Sequence, residues 1–353
     1  MKISILSALL AGIDALAAPL AHAQNSGAAD FQVIPVREDI YMINGGGGNT
    51  TVQISDQGII VVDTKTREAA DALLATIRKL SERPRKWFEV NPPNAHPQLE
   101  GIEAELEARP WGEPKIRYII NTHYHRDHTG GNVVIGPAGE RYAGGNFTRD
   151  VTNADAAADI IAHEQVLLNL SAPSGETPPM PAEGWPTSTF YGDLKEIFFN
   201  NEAIRIHHEP AAHTGGDIVV QFQRSDVIAT GDIYNTDLYP VIDVAAGGTI
   251  NGLINALNHV VELATPTYGP DGGTVIVPGH GYLSSIGDLI YYRDMVTIIR
   301  DRIQHLKDQG MSLEDVKTAG PTMDFDPVYG AEEGFWTTDM FIEAVYETLG
   351  QDS

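Results

Sequence analysis

The 353-residue chain contains no cysteine. That excludes disulfides, thiol nucleophiles, thiolate-bound zinc and iron–sulfur clusters. Any metal must therefore sit among histidines and carboxylates. Basic residues are also scarce, with 23 Lys and Arg against 48 Asp and Glu, a net charge of −25. Such a chain repels phosphate backbones and anionic bilayers, so neither nucleic acid nor a membrane surface is expected as a partner. Internal repeats and low-complexity tracts are missing too. Beyond the first twenty residues no apolar run is long enough to span a bilayer.

What is there begins with a basic Lys2, an apolar run from Ile3 to Leu20, and Ala21-His22-Ala23. This reads as a cleavable secretory leader over 1–23, which predicts a mature chain starting at Gln24 and a periplasmic or secreted location. The apolar run is broken by Asp14 and Pro19. Next come β-branched runs at Ile40–Ile43, Thr51–Ile54 and Gly58–Val62, read as strands, and a helical period over Arg67–Leu80. Glu82–Pro114 is Pro-rich and reads as an insertion, and Ile116–Asn121 as a short strand. Phe147–Leu170 is expected to be a long helix and Ser171–Thr189 a surface loop. Strands are expected again at Glu196–Phe199, Ala203–His207, Ile218–Phe222, Val227–Thr230 and Thr274–Val277. A helix is expected over Ile250–Leu263, and mostly helix over Ile286–Leu349. Strands and helices thus alternate in two halves, which suggests a layered α/β domain with helices outside two sheets.

The strongest local signal is Asn121-Thr-His-Tyr-His-Arg-Asp-His128. In extended chain, His123 and His125 point to the same side. The turn toward Gly130-Gly131 lets Asp127 and His128 reach a second, adjacent position. One loop can then feed two neighbouring metals. Three weaker pieces follow, each a His or Asp beside glycine at a strand end: Ala212-His213-Thr-Gly-Gly, Thr230-Gly-Asp232 and Pro278-Gly-His280-Gly. Glycine lets the chain turn tightly there.

With these motifs in this order, the chain resembles the metallo-β-lactamase superfamily from about Ile34 to Tyr282. The resemblance implies an αββα sandwich over 24–283, with 284–353 as a helical C-terminal extension. It implies that His123, His125 and His213 bind one zinc, that Asp127, His128 and His280 bind a second, and that Asp232 bridges them. Asp at the bridging position is similar to the glyoxalase II and ribonuclease Z type of site, whereas some β-lactamases of the family carry Cys there. Diiron relatives carry Glu where this chain has His125, so two Zn²⁺ per chain are expected. The implied chemistry is attack by a zinc-bound hydroxide, with Asp127 orienting the nucleophile.

The expected activity is opening of an amide, lactone, ester or thioester bond in a small molecule, β-lactams among them. An iron-dependent sulfur dioxygenase is the alternative enzyme, which iron content and oxygen consumption would reveal. A non-catalytic zinc-binding protein is the third reading, against which the full ligand set argues. Oligomeric state is not legible. Among other residues, Asp63 is a candidate brace for the ligand loops, and Asp217 a structural support. His207 and His208 are read as structural, on opposite faces of a strand. His96, His163, His259 and His305 are read as ordinary surface or helix residues. Gly45–Gly48 reads as a tight hairpin or a short flap. Tyr234, Tyr282 and Pro178–Trp185 are candidates for contact with substrate.

Overall fold

The computed structural model describes residues 31–82, 114–141, 157–171, 178–264 and 273–350. The expected leader, His96 and nearly all of the Pro-rich stretch lie outside them. The first half runs β1 (Gln32–Arg37), β2 (Ile40–Asn44), β3 (Thr50–Ser55), β4 (Gly58–Val62), α1 (Ala70–Ser81) and β5 (Ile116–Ile120). It continues α2 (Arg126–Thr129), α3 (Asn132–Ile135), β6 (Asp159–His163), α4 (Glu164–Ser171) and β7 (Ser188–Phe190). These strands form one seven-stranded sheet in sequential order, antiparallel up to β4 and parallel from β4 to β7. The second half runs β8 (Leu194–Phe199), β9 (Glu202–Glu209), β10 (Asp217–Phe222), β11 (Val227–Ala229), α5 (Ile250–Leu263) and β12 (Val275–Val277). Four helices close the chain: α6 (Ile286–Asp308), α7 (Leu313–Ala319), α8 (Asp326–Tyr329) and α9 (Thr338–Thr348). The second sheet has the order β12-β11-β10-β9-β8, with β11 and β12 parallel.

Alternation along the strands dictates the layers. On β4, Ile60 and Val62 face the other sheet and meet Ile206, Ile218 and Val220, while Ile59 and Val61 face out. Outside that sheet α1 buries Leu73, Ile77 and Leu80, spaced at three and four residues as one helical face requires. On β10, Ile218, Val220 and Phe222 point inward and Val219 points outward, onto the layer of α5, α6 and α9. The result is helix–sheet–sheet–helix. The C-terminal helices share one continuous core with β10–β12 and α5, through Tyr292, Met295, Phe341 and Val345. No helix among the described residues is long and apolar enough to cross a membrane.

Two expectations need correction. The helix expected over Phe147–Leu170 is, where described, a strand at Asp159–His163 followed by a helix from Glu164. Ile160, Ile161 and Ala162 are buried on both faces between β5 and β7, and a short, continuously apolar run looks alike in either conformation. The surface loop expected over Ser171–Thr189 contains the start of β7, whose Phe190 is buried. Its Met180 and Trp185 pack in a small cluster with Val166 and Tyr124.

Candidate metal centre

The loops that matter leave the carboxyl ends of parallel strands, where open α/β sheets commonly present their sites. Asp63 follows β4, His123 follows β5, Asp232 follows β11 and His280 follows β12. His213 lies in the turn between β9 and β10, where the Asp217 carboxylate accepts from Thr214 N at 2.6 Å and Thr214 Oγ1 at 2.8 Å. His125 is extended (φ −60°, ψ 148°) and α2 begins at the next residue. That one change of direction brings Asp127 and His128 into the group with His280, beside the group of His123 and His125.

All seven residues singled out in the sequence meet. Ligand atoms of His123, His125, His213 and Asp232 lie within 4.8 Å of one another, as do those of Asp127, His128 and His280. Asp232 stands between the groups: Oδ2 is 3.9 Å from His123 Nε2, 3.8 Å from His213 Nε2 and 3.6 Å from His280 Nε2. Its Oδ1 lies 3.1 Å from His128 Nε2. Asp127 Oδ2 is 3.1 Å from His280 Nε2 and 3.5 Å from His128 Nε2.

The outer ring nitrogens reveal what the inner ones can do. His213 Nδ1 donates to the Val241 carbonyl at 2.7 Å. His125 Nε2 is held by Asp243 Oδ2 at 3.0 Å, and His128 Nδ1 by Asp63 Oδ2 at 2.8 Å. Thr122 Oγ1 donates to Asp63 Oδ2 at 2.6 Å, so at 3.1 Å it accepts from His123 Nδ1. In each neutral imidazole the proton is thereby committed to the outer nitrogen. The inner nitrogens of the neutral pair are left as lone pairs aimed at one another, His213 Nε2 lying 2.9 Å from His125 Nδ1, and beside them His128 Nε2 faces His280 Nε2 at 3.3 Å. His123 Nε2 is buried with no hydrogen-bond partner. Convergent lone pairs around a carboxylate fit divalent cations and little else.

Electrostatics point the same way. Burial, reinforced by the neighbouring imidazoles, pushes His123 well below the usual histidine range and His213 down to about 4, so both are neutral. Burial also opposes charge on His128 and His280, but carboxylates outweigh it. Asp232, Asp127 and Asp63 raise His128 well above its ordinary value, and Asp232 and Asp127 raise His280 to about 9. The negative potential that holds those protons would hold a cation in their place. Asp232 is kept well below the usual carboxylate range because His128, His280 and His123 outweigh its burial.

Asp63 is the brace anticipated from the sequence, bonding Thr122 and His128 together. It and Lys65 both have positive φ, 62° and 63°. This unusual backbone is held by the buried Lys65 Nζ, which donates at 2.8 Å to the carbonyls of Ile43 and Gly48. The Gly45–Gly48 turn is therefore packed against the site. A Cβ at Gly48 would collide with the His128 ring, and Gly48 N donates to the Asp127 carbonyl at 3.1 Å. Asp243 escaped the sequence reading. It also accepts from Tyr124 OH at 2.5 Å, and its hydrogen bond to His125, more than any other influence, holds its carboxyl far below the usual range. His163 is buried, stacked at 3.6 Å on His208, and is no surface residue. His259 pairs with Glu209 at 2.6 Å. Tyr234 is buried and bonded to Ser284, and the pocket at the site is walled by Leu238, Val241, Trp336 and others in place of Tyr234, Tyr282 or Pro178–Trp185.

No curated protein sequence matches the chain. Among solved structures, it is similar to a stereoselective inverting sec-alkylsulfatase from Pseudomonas sp., with TM-score 0.57 and 16% identity, covering 91% of this chain and 51% of that one. The chain thus spans about half the length of the alkylsulfatase, and the likeness is one of fold. DIM-1 metallo-β-lactamase overlaps 76% of this chain and 97% of its own, with TM-score 0.49 and 14% identity. Residues 43–280 match the family model described as the metallo-β-lactamase superfamily, and the chain belongs to that superfamily.

Proposed function

We propose that this protein is a hydrolase of small molecules that works with two zinc ions. The observation that carries the reading is the set of imidazoles whose outer nitrogens are held by Val241, Asp243, Asp63 and Thr122 while their inner nitrogens gather around Asp232. Imidazole and carboxylate donors without thiolate suit zinc. Two such ions would supply Lewis acidity and an acidified water. His123, His125 and His213 would hold one, Asp127, His128 and His280 the other, and Asp232 both.

The chain's own contribution is placement. The Asp127 carboxyl is lowered to about 2, because His128 and His280 outweigh its burial, so it stays ionised and would be able to orient an attacking water as an acceptor. It lies at the base of the cavity that opens over the site, where substrate would arrive. The bond opened is an amide, lactone, ester or thioester. The Pseudomonas neighbour adds a sulfate ester to the panel worth testing. The acidic chain leaves nucleic acid and anionic membranes outside the reading. The basic Lys2, the apolar run from Ile3 to Leu20 and Ala21-His22-Ala23 support the reading of a leader over 1–23 and a periplasmic or secreted protein.

Elemental analysis of the purified protein, followed by turnover assays on those bond classes, tests the proposal. About two zinc per chain and zinc-dependent turnover are expected. A single tightly held iron with oxygen consumption would overturn it in favour of a dioxygenase.

A further inference from the structure

The metal centre opens into a cavity of about 1370 Å³. Its base is the ligand set itself, including His125, Asp127, His213, Asp232 and His280. The walls have a different character. Leu238, Val241 and Val244 come from the segment between β11 and α5, and Phe335, Trp336 and Met340 from the chain entering α9. Helix α9 is two-faced. Phe341, Ile342 and Val345 sink into the core, whereas Met340, Glu343 and Glu347 line the cavity at the three- and four-residue spacing of one helical face. Phe335 and Met340 are 74% and 41% exposed, an apolar surface that folding alone does not require. The charges around it are Asp237, Asp243, Glu343 and Glu347 against a single exposed base, Arg126.

Resting on the hydrolase reading above, we infer that the substrate is a neutral ester carrying a long apolar chain. The Phe335–Met340 segment and Leu238 bind that chain, and the acidic rim turns away chains that end in a carboxylate. In the reaction, the oxygen of water bonds to the acyl carbon, the ester C–O bond breaks, and a proton from water passes to the departing oxygen. The C-terminal helices therefore choose the substrate, while the ligand loops cleave it. The cavity exceeds the roughly 300–1000 Å³ usual for small-molecule sites, which leaves room for such a chain beside the scissile group.

The test uses phenyl acetate, hexanoate and decanoate, together with the phenyl monoester of decanedioic acid. The readouts are kcat/KM of the zinc-loaded full chain and calorimetric binding of 1-octanol to the chelator-treated protein. Wild type should gain up to about fourfold in kcat/KM per methylene, the limit set by full burial. The terminal carboxylate should remove about tenfold or more. Trp336→Ala and Met340→Ala should lower the decanoate-to-acetate ratio and weaken octanol binding. Met323→Ala, which alters an exposed methionine away from the cavity, should leave both at the wild-type values. Zinc content and melting temperature confirm that each variant is folded. A flat chain-length series in wild type, or Trp336→Ala and Met340→Ala keeping the wild-type ratio, overturns the inference. If none of these esters is turned over, the ester assignment is overturned, and the hydrolase reading is decided separately by turnover of the amide, lactone, thioester and sulfate-ester panel. Octanol binding lost in Trp336→Ala would then still support the apolar subsite, and no binding to wild type would overturn it.

Discussion

Asp127 and Asp243 flank the metal centre but should fail differently when changed. Asp127→Asn keeps the size and removes the charge that faces His280, His128 and the cavity. Turnover should fall on the order of 100-fold or more while the fold persists. A variant with wild-type turnover and full metal content would remove this role. The Asp243 carboxylate reaches the site through the Nε2 of His125 and the hydroxyl of Tyr124, and its backbone N donates to the His213 carbonyl at 2.9 Å. Asp243→Ala frees that imidazole to rotate and to change tautomer. Metal affinity should drop about 10–100-fold, read by competition with a chromophoric chelator, and the melting temperature of the metal-free protein should fall modestly, because the carboxylate also caps the turn at Ala246 N. Equal affinities would show that the contact is incidental. The two residues also mark what a sequence can reveal. Asp127 was legible because it sits within one loop of three histidines. Asp243 lies 118 positions from its partner, and nothing in its neighbourhood announces the contact.

Among the connecting elements, the glycine turn before β3 does the most to shape the site. Lys65 clamps the carbonyls of Ile43 and Gly48, which presses Gly48 against the His128 ring. Gly48→Ala should displace that imidazole. Loss of the metal held with Asp127 and His280 is expected ahead of the other metal, together with a lower melting temperature. Retention of both metals at wild-type affinity would mean the turn can yield. Most strands were legible from β-branched runs, and α1 and α5 from their periodicity. Strand β6 was not. Ala156, Ala157 and Ala158 lead into it with strong helical preference, and Ile160–Ala162 is apolar on both faces because β6 lies inside the sheet with helix α4 following at once. Sheet interior position is a tertiary fact, and local preference cannot encode it.

For the molecule as a whole, the αββα layering and the meeting of seven candidate ligands followed from pattern and resemblance. The sharing of one core between the second sheet and the C-terminal helices did not, because polar and apolar residues on α6 and α9 do not say what covers them. Buried histidines also tie global stability to acidity. Burial, helped by His208, lowers His163 to about 4. A group whose folded value lies below its unfolded value of 6.5 stabilises the fold fully above 6.5, and that contribution is lost as pH falls toward 4. His163→Phe should make the melting temperature of the chelator-treated protein less steep in that window, by on the order of 1–3 kcal/mol across it. An unchanged slope would mean that His163 titrates alike in the folded and unfolded chain. The spread of the ligands along the chain has a consequence in time. Four of them, His123 to His128, emerge early in synthesis, but His213, Asp232 and His280 come later, and the helices that close the cavity come last. No partial chain presents the whole coordination shell. If the centre takes a metal, the choice of ion would therefore fall after the ribosome has nearly finished, to the metal supply of whichever compartment the completed polypeptide folds in.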